Sequence, residues 1–509
     1  MQKDIIIISV PYCEPLPVVA PALLASCLES AGISARGIDF NALFIEEFSK
    51  DKEYIQYKNF LTMGHLLTPT FSLDLYKKVF KFTLRFLKTI VSQYQPKFIG
   101  ISIFTSESLD FGLLLSYLLR KYYPDITVVA GGKGLEVSGE NDKKHYEVWY
   151  ENNIADLIIV GDAESSIIEA IKQNSRGIVI SKQQSKEDLD LIPLPKWDDY
   201  DLNIYKSLGQ AVDRSNLHES EPYLTVTASK GCVRQCTFCD VASFWPNYLY
   251  RDPEKVAREI IFNYQKTGIR KFKFTDNLIN GSITNFRRMN EILAAEIPNT
   301  ITYGGYAIFR GQDQMPESDF ELAARAGNNH WGVGVESGSE RVRFDMKKKF
   351  TNDDLDWSVR MLHRWNIQQN WLLIVGYPSE TEEDFIETKK MIQRYAGLVS
   401  GTNITVQITP TFMLLNNSPL LNKPELVQEY GLEHVAKSGP NSNKFWTSTR
   451  FVDNDFPTRA RRWRELMQLV QDQGYQFGHG MPVKKWSDEM DYLEKIYHDK
   501  KTIRISTSL

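Results

Sequence analysis

The sequence is poor in the features that mark several classes of protein. Five cysteines in 509 residues, three of them crowded between positions 232 and 239, exclude the disulfide framework of a small secreted domain. No apolar stretch approaches the ~20 residues needed to cross a bilayer. The opening MQKDIIIISVPYCEP reads as a first β-strand, because its Ile run is too short for a signal peptide and no small-residue cleavage site follows. Charge of one sign is also missing: the formal net charge is −4, with no general footprint for nucleic acid or an anionic membrane. No histidine precedes His65. These absences point to a cytoplasmic protein whose thiols stay reduced; Cys13 and Cys27, far from the other three, read as incidental thiols.

What is present is ordinary globular material, 42% hydrophobic and 24% charged, in a chain too long for one domain. Short apolar runs alternate with helical patterns in two stretches. In the first, IIIISVP (5–11), KFIGISIFT (97–105), ITVVAGG (126–132) and ADLIIVGD (155–162) read as buried strands, with helices such as PALLASCLESAG (21–32) and LDFGLLLSYLLRKYYP (109–124) between them. The polar insert 50–95 reads as helical. Nearly all-apolar strands alternating with helices predict an α/β fold with a doubly wound parallel sheet, whose ligands sit beyond the strands' carboxyl ends. Turn signals mark 172–220, including LDLIPLPKWDDYD.

The second stretch offers six strands: LTVTAS, RKFKFTD (270–276), TITYGGYAIF (300–309), HWGVGVES (330–337), NWLLIVGYP (370–378) and NITVQITP (403–410). They fit a partial (β/α)6 TIM-type barrel with its chemistry at the strands' carboxyl ends. The resulting layout is a Rossmann-like domain over 1–185, a linker over 186–220, the barrel over 221–415 and a mainly helical cap over 416–509. In PTRARRWRELMQLV (457–470) the four arginines read as a solvated helix face, with Trp463 packing inward.

The segment SKGCVRQCTFCDVA places Cys232, Cys236 and Cys239 on a loop directly after the first barrel strand. Thiolates at this spacing converge on one small iron–sulfur cluster. Three ligands leave one iron of a [4Fe-4S] cubane open to a small molecule. Zinc is the competing reading; Asp240 could serve it, but no fourth Cys or His lies at regular spacing.

This motif, with the aromatic Phe238 before its last cysteine, resembles that of the radical S-adenosylmethionine (SAM) superfamily. The resemblance implies that SAM chelates the open iron and is cleaved to a 5′-deoxyadenosyl radical. It carries further residues. Asp276, in FTDNLI, would meet the methionyl amine, although Gly-Gly-Glu is more usual there. Arg310, in YGGYAIFRG, would meet the carboxylate. Glu336, in GVESGSERVRFDMKKKFT, would hydrogen-bond the ribose, and Gly376, in LLIVGYPSETEEDF, would let backbone approach the cofactor.

The order of the whole chain is similar to the subgroup with an N-terminal cobalamin-binding-like domain, on the segments GISIFTSES, VVAGGKGLEVSG, DLIIVGDAES and LIPLPKWDDYD. That implies Ser102 and Thr105 near the cofactor's phosphate and nucleotide tail, Gly131 and Gly132 against its dimethylbenzimidazole, and Glu164 at the cap of the next helix. The Asp-x-His-x2-Gly loop of many such domains is absent and Lys133 replaces a common histidine, so cobalamin would bind without a protein imidazole. The implied activity is cobalamin-dependent methyl transfer to an unactivated carbon. The alternatives are radical rearrangement, cyclisation or dehydrogenation and, more remotely, a non-catalytic iron–sulfur protein. A small-molecule or peptide substrate and a reducing partner such as flavodoxin or ferredoxin are expected; no residue is assigned a catalytic role.

Overall fold

The computed structural model describes residues 2–11, 17–48, 73–105, 108–137, 143–205, 222–434, 442–478 and 483–507. Cys13, His65 and His218 lie outside the described residues. The chain divides into two compact units, Met1–Val226 with Thr267–Lys271, and Thr227–Lys266 with Phe272–Leu509.

Strands β1 (Ile5–Ser9), β2 (Ala35–Asp39), β3 (Phe98–Ser102), β4 (Thr127–Gly131), β5 (Leu157–Val160) and β6 (Gly177–Ile180) form one sheet in the order β2-β1-β3-β4-β5-β6, every neighbour parallel. The isoleucine run of β1 has a simple cause. Side chains alternate across a strand, and here both faces are covered. Ile6 and Ile8 join the core of Phe40, Phe44 and Leu115, while Ile5 and Ile7 join that of Ala25, Leu28 and Val129. The edge strands β2 (ARGID) and β6 (GIVI) add to the four strands expected from sequence. Of the polar insert, Leu73–Tyr94 is a helix, as its pattern predicts; 49–72 lie outside the described residues.

The second sheet has seven strands. β7 (Tyr223–Val226), β10 (Lys271–Phe274), β11 (Thr302–Ala307), β12 (Asn328–Glu336), β13 (Gln368–Leu373) and β14 (Ile404–Ile408) correspond to the six expected, and β17 (Gln476–Phe477) lies beyond β14. Pairings from β11 to β17 are parallel. Two short antiparallel pairs, β8 (Ser229–Lys230) with β9 (Leu249–Tyr250) and β15 (Leu432–His434) with β16 (Trp446–Ser448), complete the strands.

Residues beyond 415 build a core with the loops that follow the barrel strands: Leu420, Leu426, Tyr430 and Trp446 pack with Val342, Met346, Tyr377 and Phe412. Helix Phe456–Asp472 starts at Asp455, whose carboxylate accepts from the Thr458 N–H, with Pro457 in its first turn. Here the expectation of a solvated arginine face needs correcting. Trp463 does pack inward, but Arg459 and Arg462 share its helical face and are buried with it. Arg459 lies 4.0 Å over the Trp446 ring and donates to the carbonyls of Lys444 and Trp446; Arg462 pairs with Glu380 and Glu382.

Candidate functional site

The loop that carries the cysteines is fixed from several sides. The Thr237 N–H donates to the Met346 carbonyl at 3.1 Å, and the Thr237 carbonyl accepts from Leu420 N at 2.9 Å. The Thr237 hydroxyl lies 2.7 Å from that of Tyr377, itself fully buried. Asn277 Nδ2 holds the Gly231 carbonyl, and Cys239 N donates to Cys236 O. Cys232, Cys236 and Cys239 are all free thiols. Burial pushes Cys236 up to about 11 and Cys239 up to about 12; Cys232 adds to the rise at Cys236, and both add to that at Cys239, while Lys348 acts in the opposite direction on Cys232 and Cys236. The thiols are therefore protonated near neutrality, and a cationic iron centre supplies the charge that turns such groups into thiolates.

Among the described residues no three His, Cys, Asp or Glu side chains are gathered closely enough to chelate a single ion. Three thiols on one pinned loop are the soft donor set that an iron–sulfur cluster takes.

The other expected residues take varied positions. Arg310, just beyond β11, donates to the carbonyls of Asn280 and Gly281 and to Gln314 Oε1, with no carboxylate partner among the described residues. Burial, and then the Arg234 guanidinium of the cysteine loop, lower its pKa. Glu336 ends β12 at a break in strand register, with φ at +65°. Its Oε1 accepts from Lys348 Nζ at 3.0 Å, with both side chains buried. Burial drives Lys348 down, but Glu336 and the nearby thiols more than offset it and leave its pKa raised. Phe238 packs edge-on to Phe412.

Asp276 and Gly376 both have close protein neighbours. Asp276 is 2% exposed, and its two oxygens already accept from Ser229 Oγ and Ala228 N. Its carboxylate ties β10 to the segment that leads into Cys232, rather than facing an open amine site. At Gly376 (φ +85°) the missing Cβ leaves room for the Arg459 methylenes, which a side chain would meet at 2.2 Å.

In the first unit, Ser102 and Gly131 end the adjacent strands β3 and β4 in register, Thr105 and Gly132 follow them, and Glu164 follows β5. All five thus lie at one carboxyl edge of the sheet. A Cβ on Gly132 (φ +112°) would meet the Ile103 carbonyl at 2.2 Å, so the chain's own backbone requires that glycine. The N-cap of helix Ser166–Lys172 is Ser165 rather than Glu164, whose Oε2 accepts from Gln184. Lys133 pairs with Glu136, which also accepts from Gly161 N.

Sequence reasoning missed Lys348, Ser229 and the Thr237–Tyr377 pair. The signal for Lys348 was its place in the MKKKFT segment after Glu336, but a run of lysines reads as solvated. A surface cleft of about 760 Å³ lined by Asp313, Asp353, Asp354 and Asp356 contains none of the cysteines.

Residues 226–392 match the Radical SAM superfamily model. The chain carries a radical SAM domain. Such a domain implies a [4Fe-4S] cluster and SAM. Among curated proteins the chain is 22% identical over 290 residues to the anaerobic magnesium-protoporphyrin IX monomethyl ester cyclase of Synechocystis sp., covering 55% of this chain and 56% of that protein. It thus spans little more than half the length of that relative. Among solved structures it is similar to OxsB, a cobalamin-dependent SAM radical enzyme with aqua-cobalamin and SAM bound (TM-score 0.65, 14% identity, 98% of this chain and 71% of that chain). It is also similar to TsrM of Kitasatospora setae, a radical SAM methyltransferase with cobalamin and a [4Fe-4S] cluster bound (TM-score 0.56, 15% identity, 95% and 85%). These likenesses extend the shared fold beyond the radical SAM domain to the Rossmann-like unit.

Proposed function

We propose that the chain is a radical SAM enzyme that holds its cluster through Cys232, Cys236 and Cys239 and transfers a methyl group to an unactivated carbon, with cobalamin at the carboxyl edge of the six-stranded sheet. The observation that carries the reading is the pinned loop with three free thiols. When bound, cluster and SAM supply a one-electron cleavage whose radical removes hydrogen from a substrate. The protein's own residues position and shield. Arg310, without a carboxylate partner, offers its guanidinium to the methionyl carboxylate. Glu336, steadied by Lys348, accepts from ribose hydroxyls. Asp276 holds the approach to Cys232 through Ser229. Phe238, Phe412, Tyr377 and Trp446 form an apolar wall against water.

Cobalamin at Ser102, Thr105, Gly131, Gly132 and Glu164 is supported by their common sheet edge and by the corrinoids named in OxsB and TsrM. No protein imidazole is expected on cobalt. The reading places the enzyme in the cytoplasm, acting on a small molecule or peptide. A second reading, rearrangement, cyclisation or dehydrogenation without methyl transfer, is favoured by the cyclase relative.

The test is anaerobic reconstitution with iron, sulfide and hydroxocobalamin. Stoichiometric corrinoid and S-adenosylhomocysteine alongside 5′-deoxyadenosine are expected. Iron without corrinoid removes the methyl-transfer reading in favour of the second. Single Cys232→Ala, Cys236→Ala and Cys239→Ala variants should lose cluster absorbance and SAM cleavage; undiminished cleavage would end both readings.

A further inference from the structure

Beside the cysteine loop lies a cleft of about 400 Å³ lined by Val233, Arg234, Gln235, Lys347 and Lys349. Three of these, Val233, Arg234 and Gln235, are the stretch between Cys232 and Cys236. None of the three cationic side chains makes a hydrogen bond or ion pair among the described residues, and Arg234 Nε is buried without a partner. Nearby cations of the same unit behave otherwise: Arg341 pairs with Asp345 and Asp384, and Arg461 with Glu382 and Glu465.

The backbone holds this arrangement at a cost. Lys347 (φ +61°) and Lys349 (φ +53°) are both left-handed, a conformation that disfavours residues with a Cβ. The result is an alternation in which Lys347 and Lys349 are exposed while Lys348 between them is buried against Glu336. Val233, 41% exposed, adds an apolar tip among the charges. Uncompensated positive charge around an exposed apolar residue suits transient capture of an acidic protein surface, since such fields steer encounter and fix register. Buried, converging donors around a small anion would suit a phosphate; here two of the three cations are exposed.

We propose that this cleft is the docking site of an acidic one-electron carrier protein that reduces the cluster. The inference rests on the iron–sulfur reading above and adds the surface through which its electron arrives. In the step one electron leaves the carrier, whose flavin goes from anionic hydroquinone to neutral semiquinone, and the cluster goes from the 2+ to the 1+ state. No bond forms or breaks.

The experiment uses the reconstituted full chain and a purified acidic bacterial flavodoxin. Calorimetric titration with oxidised flavodoxin should give binding that weakens with salt. K347E/K349E should bind at least about tenfold more weakly at low ionic strength and K347Q/K349Q about threefold. Cluster absorbance per chain and SAM cleavage driven by reduced methyl viologen should stay unchanged in both variants, while cluster reduction by photoreduced flavodoxin slows by the same factors as binding weakens. No binding by the wild-type chain, or equal affinity and salt dependence in all three proteins, overturns the proposal. So does saturation of the patch by inorganic pyrophosphate with flavodoxin binding untouched, which makes it a small-anion site. A chain that takes up no iron fails the earlier reading; one with an intact cluster whose flavodoxin binding ignores charge reversal fails only this one.

Discussion

The loops beyond the first sheet close on themselves, whereas those beyond the second leave charge and strain in place. In the first unit Gly132 admits the Ile103 carbonyl, Lys133 answers Glu136, and Glu164 answers Gln184. Among the described residues its left-handed non-glycine positions are Gln95, Asn153 and Asn174, all just past helix ends, where asparagine is at home. In the second unit Asn299, Lys347 and Asn366 repeat that pattern, but Glu336 and Lys349 do not. A glutamate and a lysine in that conformation away from a helix end, near the cysteine loop, mark where the fold tolerates strain for the sake of placement. The contrast separates an edge shaped by packing from one shaped by chemistry.

The largest effect should come from Lys348→Met. It strands the buried Glu336 carboxylate, and chemical denaturation should show a loss of about 3 kcal/mol, as expected for breaking a buried pair. The double variant with Glu336→Gln should recover most of it; full stability in the single variant would dissolve the distinction between the two edges. Next is Gly132→Ala, where the added carbon meets the Ile103 carbonyl; about 2–3 kcal/mol should be lost from the first unit in a melting experiment. An unchanged melting temperature would mean that the close approach is dispensable.

Asp276 sharpens the comparison through pH. Burial pushes it up to about 7 from an ordinary 3.8. Between those values the folded chain retains a proton that the unfolded chain has released, so stability falls as pH rises through the window and levels off above it. Asp276→Asn should remove a slope of at most ~1.4 kcal/mol per pH unit. An identical pH profile in the variant would show that the carboxyl is ionised throughout. The smallest effect is backbone relief: Lys349→Gly should gain about 0.5–1 kcal/mol, against a few tenths for Asn153→Gly. Equal gains would remove the argument that strain is concentrated at the cysteine loop.

Much of this was legible in the residues. The strand runs of both sheets announce themselves because burial on two faces leaves no room for polar alternation, and the cysteine spacing, placed directly after a strand, points to iron–sulfur chemistry. β2 was hidden by Arg36 and Gly37 interrupting its apolar pattern, and β17 by its two-residue length. The buried Arg459 and Arg462 were illegible because guanidinium burial depends on carbonyls and an indole supplied from distant loops. Lys348 was hidden because only the fold shows that the middle of three lysines turns inward.

The pairing of β14 with β17 has a consequence for synthesis. Residues up to Ile408 supply six strands, and the partner of the last must come from Gln476–Phe477. A chain emerging from the ribosome therefore presents β14 with a bare edge until Phe477 has been made. Such edges invite pairing with other chains. The interval in which this edge invites aggregation opens at Ile408 and closes at Phe477, after the cysteine loop has already left the exit tunnel.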